Sequence, residues 1–137
     1  MSDSLTDLQG LIKTRINAAT DLSTLQVILE SSGTGETSLD AAVRDDGVAA
    51  MVLFPDLGDT GTRDQCKGEF TVIVKELADG RSFTKDSAEI AIQIFNQLRK
   101  WNPGSGWQTV QNLRIDTIEL EPYAVRSVSG DAGIFLN

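Results

Sequence analysis

The residues that could do chemistry in this chain are few and scattered. Cys66, its single cysteine, stands between Gln65 and Lys67 in a polar segment. A thiol beside an ammonium is a conceivable nucleophile, because nearby positive charge favours the thiolate. Its general base is missing, since the sequence holds 0 histidines. That also removes Ser-His-Asp and Cys-His machinery and histidine-ligated zinc. Glu119 and Glu121 would share one face of a strand, a spacing that suits two-carboxylate chemistry, but at a sheet end the reading we take is a solvated face. Asp56, Asp59 and Asp64 bring oxygen ligands into one segment, but the calcium-loop spacing D-x-[DN]-x-[DN]-G and its distant glutamate are absent. Gly33-Thr34-Gly35 and Gly104-Ser105-Gly106 are GxG fragments that continue into neither GxxxxGK[ST] nor GxGxxG. We therefore assign no catalytic residue, no cofactor-binding residue and no metal ligand, and expect a protein that is not an enzyme and carries no cofactor.

Contact chemistry is easier to find. Trp101 and Trp107 bracket the turn Asn102-Pro103-Gly104-Ser105-Gly106. Trp101 completes an apolar helix stripe and belongs with the core. Trp107 is freer: core packing is one reading of it, and an interface anchor, a role in which tryptophan is over-represented, is the other. The segment 55–68, rich in Gly, Asp and Thr, reads as a long loop, and loops of that length in small domains commonly carry function. Asp56, Asp59, Arg63, Lys67 and Trp107 are accordingly the candidates for an assembly interface, expected to be exposed in the free subunit.

The elements that position these residues follow from periodicity. Ser4 and Asp7 fit a capping pattern, and Leu5, Leu8, Ile12, Ile16 and Ala19 then recur every three or four residues, predicting a helix over about 4–19. Leu25–Leu29 is a short β-prone run. Ser38–Asp46 has the pattern of two helical turns, with Leu39, Ala42 and Val43 inward and Gly47 as the stop. Val48–Phe54 is apolar on both faces, as a strand covered on each side should be. Phe70–Leu77 alternates. Asp86 and Glu89 form a capping box for a second helix over about 86–101, whose Ile90, Ala91, Ile94, Phe95, Leu98 and Trp101 line one side. Thr109–Leu120 reads as a strand with a bulge near Thr117-Ile118, and Gly133–Leu136 as a last strand. The fold class is α+β: a mainly antiparallel sheet with two packed helices.

Composition sets the outer limits. A chain of 137 residues, 40% hydrophobic and 23% charged, has the balance of one folded domain, residues 1–137. A lone cysteine excludes a disulfide-stapled scaffold. No apolar run reaches the roughly 18–20 residues of a membrane span, and MSDSLTDLQG lacks the basic and apolar regions of a signal peptide, so no membrane partner is expected. The net charge is −8. Residues 1–67 hold eleven acids and five bases, and residues 68–137 hold nine and seven. Neither half offers the basic stripe that phosphate neutralisation needs, so direct sequence-specific nucleic-acid binding is not expected.

Taken in order, these features resemble the tail-terminator, or tail-completion, proteins of long-tailed double-stranded DNA phages and prophages. The resemblance rests on the helix LTDLQGLIKTRI, the strand and acidic turn DDGVAAMVLFPDLGD, the strand GEFTVIVKEL with its connection ADGRSFTKDS, and the late strand LRIDTIELEPY. It rests also on a helix ending in Leu98-Arg99-Lys100-Trp101-Asn102-Pro103, matching the helix that runs into a W-x-P turn in such proteins. It implies a small α/β or α+β structural subunit of the virion. Such subunits form a ring homo-oligomer, typically a hexamer, that caps the tail tube, stops its polymerisation and presents the head-joining surface. The implied partners are further copies of the chain, the tail tube protein and a head-completion or connector protein. The implied location is the host cytoplasm during assembly and then the virion tail. Two alternatives stand beside it: another head–tail connector or neck protein, and a small-molecule-binding α+β domain using the acidic loop 55–68.

Overall fold

The computed structural model describes residues 3–30, 35–59, 65–77, 86–104, 107–120 and 123–135. Its elements are α1 (Asp3–Asn17), a 3-10 turn (Thr20–Leu22), β1 (Val27–Leu29), α2 (Gly35–Asp46), β2 (Val48–Val52), β3 (Asp56–Asp59), β4 (Gln65–Leu77), α3 (Ser87–Leu98), β5 (Gln111–Glu119) and β6 (Tyr123–Phe135). The strands form one sheet in the order β1-β2-β4-β6-β5, with β3 also paired to β4. Among the described strands only β1 and β2 run parallel, joined by α2 as the crossover such a pair requires; the other described pairs are antiparallel. The fold is α+β, as the pattern of the sequence predicts.

Side-chain alternation divides the sheet into two faces. Val48, Ala50 and Val52 of β2, with Phe70, Val72 and Val74 of β4 and Val128 of β6, pack beneath α1 and α3 in the main core. Helix α1 contributes Leu8, Ile12 and Ile16, and α3 contributes Ile90, Ala91, Ile94 and Leu98, all without exposed surface. Burying a side chain of this size stabilises by about 1.5–3 kcal/mol, so these stripes decide where the helices sit. The other face is covered only in part. There Ala49 and Met51 of β2 meet Leu39, Ala42 and Val43 of α2 in a smaller cluster. Strand β2 is thus buried on both faces, as its unbroken apolar run predicts.

Polar contacts set the ends of the elements. Helix α1 stops at Asn17, whose Nδ2 donates to the carbonyls of Leu22 (2.9 Å) and Leu25 (3.1 Å) and folds the chain into the 3-10 turn before the predicted end. The buried Gln9 donates to the carbonyls of Glu30 (2.9 Å) and Val52 (3.0 Å), pinning the ends of β1 and β2. Helix α2 ends as expected at Gly47, which takes φ 83° and donates its N–H to the Val43 carbonyl at 2.7 Å. The Asp86 carboxylate caps α3 by accepting from the Glu89 N–H at 2.8 Å. Arg99 is already extended and Lys100 lies at φ 57°, so α3 closes at Leu98 and Trp101 leaves it.

The largest departures from the sequence reading are in β3, β4 and β6. The segment 55–68 is not a loop along its length: Asp56–Asp59 pairs with Cys66–Glu69, so β3 and an early start of β4 occupy most of its described part. The last strand begins at Tyr123, and its 13 residues pair with all of β4.

Candidate functional site

The structure separates the groups that adjacency in the sequence suggested joining. Cys66 lies within β4, opposite Ile134, and not in a loop. Consecutive strand residues project from opposite faces, so Lys67 points away from the thiol. The Lys67 ammonium lies instead 3.6 Å from Glu69 and 4.0 Å from Asp131. Glu119 ends β5, while Glu121 lies outside the described residues, as do Arg63 and Asp64. Asp56 is exposed and sits opposite Glu69, and Asp59 sits opposite Cys66. Among the described residues no group of three or more Cys, Asp or Glu is placed to hold a metal ion. Gly33-Thr34 and Ser105-Gly106 lie outside the described residues, and Gly35 opens α2.

The tryptophans also part company. Trp101 is half-buried against the main core and its carbonyl accepts from the Val110 N–H at 2.8 Å. Trp107 packs on the same core, which corrects the expectation of an exposed anchor. Its ring lies over Gly68, the one residue type that leaves room for it, and its backbone bridges to Ile134.

Two surfaces among the described residues bear on function. The first is a shallow groove of about 240 Å³ on the α2 side of the sheet, lined by Asp56, Glu69, Thr71, Arg114, Ser129 and Asp131. Several of its polar groups already have partners. The Thr71 and Ser129 hydroxyls lie 3.2 Å apart, Asn112 Nδ2 donates to Asp131 at 3.1 Å, and Arg114 Nε donates to Asp116 at 2.9 Å. That is a solvated sheet face, without a nucleophile–base pair.

The second surface is the β5 edge. Ile115 is 37% exposed, Ile118 58% and Leu120 62%; these are three of the five exposed large hydrophobic residues described, Phe54 and Ile92 being the others. Ile118 stands at a register shift between Thr117 and Glu119, the bulge predicted from the slipped alternation. These aliphatics were legible as strand residues. What local sequence does not carry is that β5 ends the sheet, which alone makes them surface.

No family model matches the chain, and no curated protein matches it either. No helix among the described residues is long and apolar enough to cross a membrane.

Proposed function

We propose that this protein is a structural assembly subunit, a phage tail terminator whose ring caps the tail tube, halts its polymerisation and offers the head-joining surface. The observation that carries the reading is the run of elements around α3. An amphipathic helix leads through the Trp101-Asn102-Pro103 turn into the long antiparallel β5–β6 pair, in the order of the phage proteins the sequence resembles. Exposed apolar side chains support it. Phe54 follows β2, Ile92 lies on α3, and Ile118 and Leu120 lie at the far sheet edge. A ring closes through head-to-tail contacts between two different patches, and this surface carries several that are separate. The net charge of −8 suits a lumen that repels DNA and lets it pass.

The test is light scattering and negative-stain microscopy of the protein alone and with tubes of the tail-tube protein encoded in its own gene neighbourhood. A closed ring, free or seated on tube ends that no longer grow, is the expected result. Rings that bind a head connector and ignore tubes would move the assignment to a neck protein. A protein that neither closes a ring nor engages tube or connector overturns the reading.

A further inference from the structure

The outer edge of β5 has no strand beyond it among the described residues, and the ladder fixes which of its backbone groups are free. In antiparallel sheets both polar groups of one residue face one neighbour, and those of the next residue face the other. The Leu53 N–H donates to the Thr71 carbonyl at 2.9 Å and the Leu77 N–H to the Gly47 carbonyl at 2.7 Å, so odd-numbered residues of β4 face the β2 side. Val72 and Val74 therefore face β6, opposite Val128 and Arg126. The same alternation turns Ser127 and Ser129 toward β5, opposite Asp116 and Arg114. Ile115 stands between these two, and its own N–H and C=O point outward. Strand β5 is regular just here, between register shifts at Gln111/Arg114 and Thr117/Glu119.

We propose that this edge pairs antiparallel with the same edge of a second copy, centred on Ile115. The two Ile115 residues exchange N–H···O=C bonds across a two-fold axis perpendicular to the sheet. The argument for a second copy as occupant is the charge order. With Ile115 at the centre, Arg114 of each copy lies opposite Asp116 of the other, in non-hydrogen-bonded positions where side chains approach most closely. The neighbouring registers of the same hydrogen-bond phase set Arg114 against Arg114 or Asp116 against Asp116. Only one register near the centre opposes unlike charges, so the strand is complementary to itself. Arg114 and Asp116 already share a face, with Nε 2.9 Å from Oδ2 and side chains 68% and 53% exposed, so each is free to trade its partner for that of the other copy. On the opposite face the half-exposed Ile115 meets its own copy.

This contact is isologous: it joins two copies and stops, whereas ring closure uses two different patches. Either can therefore fail without the other. The paired segment is short, so the contact is transient and has to be trapped.

In a Cys66→Ser background, Ile115→Cys places a thiol opposite itself on the axis. Hydrogen-bonded pairs sit with Cα atoms about 5.5 Å apart, within the span of a disulfide. Mild oxidation is expected to give a covalent dimer on a denaturing gel in far higher yield than Ile92→Cys, a more accessible position on α3. Adding Arg114→Asp or Asp116→Arg to the Ile115→Cys protein sets like charges opposite each other, and the yield is expected to fall roughly five- to ten-fold in each. Mixing those two proteins restores unlike pairs at both positions, so the yield recovers and the dimers contain one of each. Equal yields at positions 115 and 92, or a mixture no better than its components, overturns the proposal. The gel reads the pairing whether or not the protein also forms a ring, which keeps the two readings distinguishable.

Discussion

At Trp107 the indole is held by what lies beneath it. A Cβ at Gly68 would come within 3.3 Å of Trp107 Cζ3 and 3.2 Å of Leu8 Cδ2, so the glycine lets the ring settle on β4 beside α1. Replacing Trp107 with Ala is expected to lower the unfolding free energy by about 2 kcal/mol, the scale for truncating a half-buried aromatic. Gly68→Ala should cost about 1 kcal/mol through overpacking, and less than that where Trp107 is already Ala, since one of the crowding groups is gone. Urea unfolding of the two single variants and the double checks this; a neutral Trp107→Ala with strictly additive effects would refute the packing. Trp101 was legible as core because it continues the α3 stripe. The seat of Trp107 was not legible, because it is a glycine in a distant strand and no local period points there. The Cys66-Lys67 pair fails for a related reason: adjacency along the chain means opposition across a sheet.

Among the elements, the helices and the apolar strands were readable, and the long polar-looking strands were not. Helix α3 carries its period and its cap in its own residues. Strand β6, YAVRSVSGDAGIF, contains Ser127, Ser129, Gly130 and Gly133, and its strand character comes from ladders on both sides, β4 on one and β5 on the other. The first part of β4 is likewise held by β3 and β6 together. One buried cluster, centred on Ser87, ties three of these elements. Glu76 of β4 is buried, its Oε1 accepts from the Ser87 N–H at the start of α3 at 2.9 Å, and Arg126 Nε of β6 donates to Ser87 Oγ at 3.2 Å. Helix starts have orphan N–H groups, and a buried one without an acceptor is costly. Glu76→Ala is therefore expected to destabilise by about 1–3 kcal/mol. Glu76→Gln, which keeps an acceptor oxygen, should cost clearly less. Chemical denaturation of both variants measures the difference, and equal losses would show that α3 needs the negative charge of Glu76, since glutamine keeps its shape and an acceptor oxygen.

For the whole molecule, the two faces of the sheet are held with unequal strength. Beneath α1 and α3 lies the large core; beneath α2 lies a cluster of five buried residues, Leu39, Ala42, Val43, Ala49 and Met51. The α2 layer is fastened further by Lys75, whose ammonium lies 2.7 Å from Asp40 and 4.4 Å from the Tyr123 ring centroid. A partly exposed pair of this kind contributes at most about 1 kcal/mol, so apolar burial has to hold the helix. Leu39, 3% exposed, is the longest side chain that α2 gives the cluster. Truncating it to Ala is expected to cost about 2–3 kcal/mol, and most of that loss should appear locally, because the main core does not touch it. Layers with few buried contacts open below the global unfolding free energy. Hydrogen exchange on Leu39→Ala should therefore show faster exchange in α2, with the amides joining β4 to β6 changed much less. Uniform acceleration through the sheet would mean that the two faces unfold as one unit. Function was the least legible level. The sheet is covered more on one face than on the other, and it ends at β5 with no further strand among the described residues; that edge follows from strand order across the whole fold, which no segment of the sequence encodes by itself.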